Sequence, residues 1–183
     1  MEAPGRVVRG RAIPGVAVAG TAAYVPSSGA RTVDNDEVES VIRRHGGQPL
    51  SSEWVAAVGV DRRLWTCIPG EAPSPDAAST DSLLAGAIAA AVADAGLRRD
   101  EVDLVIAATT TTSRLTTSMA SVATGALGMR CATMELRAGC ASAAYGLAVA
   151  YAQLAVGAEV VVVAAGETLT KVAPGVGPAP YLA

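Results

Sequence analysis

The segment from Ala141 to Gly166 is broken by strongly polar residues only at Gln153 and Glu159. A stretch this apolar must leave water, either across a bilayer or inside a layered core. Its second part, Val160–Val163, is β-branched, which favours a buried helix followed by a buried strand over one membrane span. The spacing predicts a helix over 140–156 and a strand over 159–165. That helix is apolar on nearly every side, so it is predicted to lie between layers rather than on a surface. One sheet and one helical layer leave part of it bare, so something else must cover its other side.

The rest of the chain alternates in the same manner. Val16–Gly20 is a short apolar run that reads as a central strand. Val38, Val41 and Ile42 are spaced for a helix over 34–44, with Asp34 or Asn35 as cap and His45-Gly46-Gly47 as its end. Residues 66–80 carry Pro, Ser and Gly and read as loop. Leu84, Ile88, Ala91, Val92 and Ala95 form one stripe of a helix over 81–95, stopped by Gly96. A buried strand is predicted over 102–108 and a polar loop over 109–117, which holds six Thr. A short helix over 118–127, ending at Gly128, and a strand over 132–136 follow. Residues 171–183 read as a Pro/Gly-rich tail. Helices and strands in this order predict an α/β layer fold with a mainly parallel sheet.

Composition narrows the function classes. The net charge is −3, which provides no large positive field for nucleic acid. Hydrophobic residues make up 51% and charged residues 17%, which excludes general disorder. The apolar content is small: 39 Ala, 23 Val and 19 Gly, with no Phe. Such a core brings helices and strands close together. Arg6, Arg9 and Arg11 before Val16–Ala23 imitate a signal peptide, but Pro14 and Gly15 interrupt the pattern. Residues 1–12 are read as a flexible tail. Cys67, Cys131 and Cys140 are an odd number without a CxxC, and there is one His. No metal site is expected, and reduced thiols in the cytoplasm fit better than disulfides.

Cys140 is the residue with chemical promise. It follows the strand containing Met134-Glu135-Leu136 after a tight Arg137-Ala138-Gly139 turn, and it opens the apolar helix. Unpaired N–H groups and the helix dipole at such a position favour thiolate. A thiolate there can attack a carbonyl, and its own N–H can serve the resulting oxyanion. The alternative is a small buried hydrophobe. Cys67 in a loop and Cys131 at a strand edge read as structural. Glu135 and Glu167 flank strands and read as structural polar contacts, with acid/base groups as the alternative. His45, by a Gly turn, reads as a surface residue. Gly175-Val-Gly177 is followed by Pro and is not a dinucleotide loop.

Four segments in register resemble the β-ketoacyl-acyl-carrier-protein synthase III family of the thiolase superfamily. The run Arg137-Ala-Gly-Cys140-Ala-Ser-Ala-Ala-Tyr145-Gly-Leu is similar to that family's active-site segment. Ser51-Ser-Glu-Trp54-Val with Gly59-Val-Asp-Arg62-Arg is similar to its early Trp and Gly-Ile-x-x-Arg segment. Asp103-Leu-Val-Ile-Ala-Ala-Thr109-Thr110 resembles its second strand and Thr-rich loop. Val160-Val-Val-Val-Ala-Ala-Gly166-Glu167 resembles the strand after the cysteine helix.

The resemblance implies the N-terminal half of a thiolase-like layered α/β/α fold, spanning residues 13–170, with the cysteine helix central and buried. It implies that Cys140 takes an acyl group from a coenzyme A or acyl-carrier-protein thioester, the substrate. A malonyl-thioester then loses carbon dioxide and its carbanion attacks the acyl-cysteine. It also places Trp54, Thr110 and Leu115 at the substrate, with Trp54 stacking on adenine or pantetheine or else packed in the core, and Arg114-Leu115 where the family's dimer partner reaches toward the acyl pocket or else in an ordinary exposed loop. No cofactor, membrane or nucleic acid is implied. The family's His and Asn lie in a C-terminal half, and the chain ends before an expected fifth strand. A complementary chain or subunit carrying that half is therefore expected, within an oligomer. Ala56-Ala57-Val58 replaces a segment that in the family carries a phosphate-binding Arg, and Thr117 stands where Pro is common. A non-condensing thioester-dependent acyltransferase and a non-catalytic scaffold subunit are the alternatives.

Overall fold

The structure is a computed structural model and describes residues 14–183. The tail read over 1–12 and its arginines therefore lie outside the described residues. In chain order the elements are β1 (Arg31–Asp34), α1 (Asn35–Arg44), α2 (Ser52–Val58), β2 (Arg62–Trp65), α3 (Thr80–Asp94), β3 (Leu104–Ala108), α4 (Met119–Ala126), β4 (Ala132–Leu136), α5 (Ser142–Ala155), β5 (Val161–Ala165) and α6 (Ala179–Leu182). Short 3-10 turns lie at Arg99–Glu101, Gly139–Ala141 and Leu169–Lys171.

β3 is the axis of the larger unit. It pairs in parallel with β4, Leu104 opposite Ala132, and with β5, Leu104 opposite Val161. All five of its residues are buried, as an apolar strand without polar alternation requires. Val105 and Ala107 meet Leu84, Ile88 and Val92 of α3 and Met119, Ala120 and Ala123 of α4. Leu104 and Ile106 meet Ala150 of α5 on the other face. The chain steps from β3 outward to β4, then crosses back over β3 to β5. Crossovers of one hand in opposite directions put α4 and α5 on opposite faces of the sheet.

The helices start where the chain supplies side-chain oxygens. Asp34 accepts from the Glu37 N–H at 3.0 Å to cap α1. Ser79 and Ser82 form a reciprocal capping box on α3, and Ser118 caps α4. The Asp103 carboxylate accepts from the Glu159 and Val160 N–H groups at 2.8 and 3.0 Å, fixing the entry to β5 beside β3. These two bonds hold its pKa below the ordinary 3.8. α5 lies close on β5 because Gly146 has no side chain. A Cβ there would sit 2.9 Å from Val163 Cγ1.

Several expectations are corrected. Val16–Gly20 forms no strand. It runs exposed past α3, where a Cβ on Gly20 would meet the Ala95 nitrogen at 2.5 Å. An apolar run becomes a strand only where a partner strand lies alongside, and none does here among the described residues. α5 is not buried all round: Ser142, Gly146 and Ala150 are covered, whereas Tyr145 and Leu147 are 59% and 62% exposed. The sheet covers one face only, so the apolar outer face stands open. Residues 171–183 are not a loose tail. Tyr181 on α6 is buried with Val33, Val38, Val41, Ile42 and Trp65, and Trp65 Nε1 donates to the Ala183 carbonyl at 3.1 Å.

That cluster is the core of a second, smaller unit, in which β1 and β2 pair antiparallel. These strands and α2 have no counterpart in the periodicity reading, because four-residue strands carry too short a pattern. No described helix is long and apolar enough to cross a membrane.

Two outcomes are expected. Gly146→Val should lower stability by about 1–3 kcal/mol in urea titration, because Val163 and the strand behind it leave little room to shift. Asp103 has a folded pKa below its unfolded one. Its stabilisation is therefore present above the unfolded value and lost as pH falls through the folded value. The advantage of wild type over Asp103→Asn should hold at neutral pH and shrink below pH 3.8, followed by thermal melts across pH.

Candidate active site

Because the three strands of the larger sheet are parallel, their carboxyl ends share one edge. Thr109–Thr117 leaves β3, Arg137–Cys140 leaves β4, and Gly166–Thr168 leaves β5 at this edge. The chain reverses direction across β3 here, the place where open α/β sheets part their loops into a crevice.

Cys140 sits on the 3-10 turn Gly139–Ala141, two residues ahead of α5, and its side chain is exposed. It therefore precedes the helix by half a turn instead of opening it directly. Gly139 has φ +58°, a left-handed conformation that glycine adopts without Cβ strain. Ser142 braces the turn from inside. Its hydroxyl accepts from the Ala138 N–H at 2.8 Å and donates to the Gly139 carbonyl at 2.8 Å. The turn's backbone bonds join the Ala141 N–H to the Ala138 carbonyl and the Ser142 N–H to the Gly139 carbonyl. Neither uses the Cys140 N–H, the group an oxyanion would need. Sequence reasoning missed Ser142. A hydroxyl residue at the start of an apolar helix was the available signal.

The Thr-rich loop is tied down by carboxylates. Glu167 accepts from the Thr110 N–H at 2.7 Å, the Thr111 N–H at 2.9 Å, the Thr110 hydroxyl at 3.0 Å and the Thr109 hydroxyl at 3.2 Å. The Thr111 hydroxyl donates to it as well. Thr80, Thr111 and Thr168 form a buried hydroxyl cluster behind this loop, with Thr80 Oγ1 2.8 Å from Thr168 Oγ1. Glu135 accepts from the Met119 N–H at 2.6 Å, at the start of α4, and from Arg137 Nε at 2.7 Å. Both glutamates thus make the structural polar contacts expected of them.

The other residues named from sequence are scattered. Thr110 lies at this edge, bound to Glu167. Leu115 is 97% exposed on the loop tip. Trp54 belongs to the smaller unit. It is half-buried on α2 with its ring edge-on to Tyr181, centroids 5.7 Å apart. His45 is exposed, as expected of a surface residue. Its ring lies against Gly175, whose added Cβ would be 2.6 Å from Cδ2, and Nε2 is 3.6 Å from Glu71 Oε1.

Burial pushes the Cys131 thiol pKa up, with the Asp103 charge adding to the effect. Cys67 lines a cleft of about 400 Å³ with Arg31, Trp65 and Glu71. A second cleft, of about 420 Å³, opens between Ala22–Pro26 and the end of β5 at Ala165–Glu167. Cys140 lines neither. Its turn is open because the outer face of α5 is uncovered.

Residues 70–178 match the thiolase N-terminal domain. The chain is 33% identical over 157 residues to β-ketoacyl-[acyl-carrier-protein] synthase III of Cereibacter sphaeroides, covering 84% of this chain and 43% of that protein. Among solved structures it is similar to the priming β-ketosynthase of the R1128 polyketide biosynthetic pathway. The TM-score is 0.67 and the identity 26%, over 86% of this chain and 45% of that one. It is equally similar to the Thermus thermophilus synthase III, with TM-score 0.67 and 26% identity over 85% of this chain and 44% of that one. The chain thus spans less than half the length of the relatives it matches.

Exposure and burial predict an order of thiol reactivity. Iodoacetamide at pH 8 should modify Cys140 well before Cys131, whose thiolate is disfavoured. Peptide mapping of a time course reads this directly.

Proposed function

This chain belongs to the thiolase family through its N-terminal domain, and on that premise we propose that Cys140 is the nucleophile of a synthase III-like acyl transfer. The observation that carries the reading is one exposed thiol on a left-handed-glycine turn, at the carboxyl edge of a parallel sheet, in a domain aligned with synthase III N-terminal halves.

The thiolate attacks the carbonyl carbon of an acyl-coenzyme A or acyl-carrier-protein thioester. A carbon–sulfur bond forms to Cys140, the bond to the donor sulfur breaks, and the donor thiol leaves with a proton. The Cys140 N–H stabilises the oxyanion of the tetrahedral intermediate. In condensation, a malonyl-thioester loses carbon dioxide, its carbanion attacks the acyl-cysteine carbonyl, and the Cys140 thiolate is released. The proposed reaction belongs to fatty acid, polyketide or other secondary metabolism, in the cytoplasm.

The groups that stabilise the enolate-like charge are assigned to a complementary C-terminal half. The described residues bring no His or Asn to the cysteine turn. Two open surfaces support such a partner. The outer face of α5 exposes the large apolar side chains of Tyr145 and Leu147. Among the described residues β5 is an edge strand of its sheet, with unpaired backbone groups on its outer side. Tight coenzyme A binding through α2 is not part of the proposal, because Ala56 and Ala57 present no cation there.

Incubation with an acyl-thioester should add one acyl mass at Cys140, read by intact-mass and peptide mass spectrometry. Cys140→Ala should abolish this, and an unmodified wild-type chain would favour the scaffold reading. In the assembled enzyme, His45→Ala should change condensation by no more than a few-fold. A general acid–base residue contributes roughly 10²–10⁴-fold, so a hundredfold loss with folding intact would make His45 catalytic.

A further inference from the structure

Resting on the acyl-cysteine reading, we propose that Ser142 is a positioning residue, whose hydroxyl pins the peptide unit that aims the Cys140 N–H at the oxyanion. The Gly139 carbonyl and the Cys140 N–H are the two ends of one planar, trans peptide unit. Whatever fixes the carbonyl therefore also aims the N–H. Two donors reach that carbonyl, both from Ser142. The hydroxyl Oγ lies 2.8 Å from it, and the Ser142 backbone N–H bonds to the same oxygen. Among the described hydrogen bonds none uses the Cys140 N–H, which leaves the far end of the unit available.

This peptide unit needs a hold. It follows Gly139, whose φ is +58° and whose backbone, lacking a Cβ, has more conformational freedom than that of any other residue. On the near side of the glycine, the Ala138 N–H donates to Ser142 Oγ at 2.8 Å. One hydroxyl thus ties the chain on both sides of Gly139. It does not cap the helix, although a serine at a helix start usually accepts from the first N–H groups of that helix. α5 has no side-chain cap, and Ser142 Oγ turns back to residues 138 and 139 instead. Ser142 is 3% exposed, so these bonds are sheltered from water and correspondingly firm. Cys140 is exposed, so the brace lies behind the nucleophile and leaves its approach open.

The oxyanion exists only once the thiolate adds to the thioester carbonyl. The aim of the N–H therefore acts on the chemical step and not on thioester binding. Alkylation by iodoacetamide displaces iodide at a saturated carbon. It needs the same thiolate but no oxyanion donor. A loosened brace slows acylation and spares alkylation.

The test compares the full chain with Ser142→Ala, Ser142→Thr and Ser142→Val, the last two matched in shape and differing in the hydroxyl. With cysteine-selective nitrogen-15 labelling, the residual dipolar coupling of the Cys140 amide reports the direction of its N–H bond. The Cys67 and Cys131 couplings report that the fold is intact. Ser142→Ala and Ser142→Val should change the Cys140 coupling and leave the other two as they are, and Ser142→Thr should keep all three. S-acetyl-N-acetylcysteamine serves as the acyl donor, with self-acylation read by intact mass. Losing a whole oxyanion donor costs roughly 10²–10³-fold, so a donor that is present but poorly aimed should cost about tenfold. That loss should fall on the maximal rate in Ser142→Ala and Ser142→Val. The half-saturating donor concentration and the alkylation rate should stay within about twofold. Ser142→Thr should return to within about threefold of wild type. An unchanged Cys140 coupling in Ser142→Ala and Ser142→Val, or alkylation falling in step with acylation, would overturn the brace. A wild-type chain that is never acylated, while the Cys140 coupling changes as expected in the variants, would instead overturn the acyl-cysteine reading.

Discussion

Every residue of β3 is buried, and that burial constrains everything around it. A strand covered on both faces and paired on both edges needs a helical layer above and below and parallel neighbours on each side. Parallel pairing places the carboxyl ends of β3, β4 and β5 at one edge. The crossover from β4 to β5 puts α4 and α5 on opposite faces. The cysteine turn, the Thr-rich loop and Glu167 therefore meet because of a requirement of the core, with no direct affinity between them.

Meeting at an edge does not yet order the loops. The sheet ends expose N–H groups that the ladder no longer satisfies, and unsatisfied polar groups in a half-buried setting are costly. Two carboxylates resolve this. Glu167 gathers N–H and hydroxyl donors from three consecutive threonines, and Glu135 caps α4 while holding Arg137. Charged acceptors make stronger bonds than neutral ones, so two side chains suffice to shape the loop. The same economy governs the cysteine turn, where the Ser142 hydroxyl both accepts and donates.

The smaller unit depends on aromatic packing. Trp65 and Tyr181 are buried with the apolar stripe of α1, and Trp54 packs edge-on to Tyr181. Both tryptophans lie in this unit, and the core of the larger sheet is built from Ala, Val, Leu, Ile and Met without any aromatic residue. Small side chains allow α5 to approach β5 at Gly146 and the chain before β1 to approach α3 at Gly20. The outer face of α5, by contrast, carries the exposed large side chains of Tyr145 and Leu147.

The strands over 104–108, 132–136 and 161–165, the helices α1, α3, α4 and α5, and the tight turn that carries Cys140 ahead of α5 were legible in the sequence. In each case the signal was local: a hydrophobic period, a capping oxygen, a glycine stop, or a thiol after a tight turn. β1, β2 and α6 were not legible, because four residues carry too short a period and their burial depends on partners distant in sequence. The failure of Val16–Gly20 to form a strand has the same cause, since a strand exists only through its neighbour. The sequence alone determined which segments must leave water and which thiol stands at a helix start. Tertiary structure alone decided that α5 keeps one face open, that Glu167 gathers the threonines and that Arg137 reaches Thr112, because those depend on chain crossings that no local period encodes.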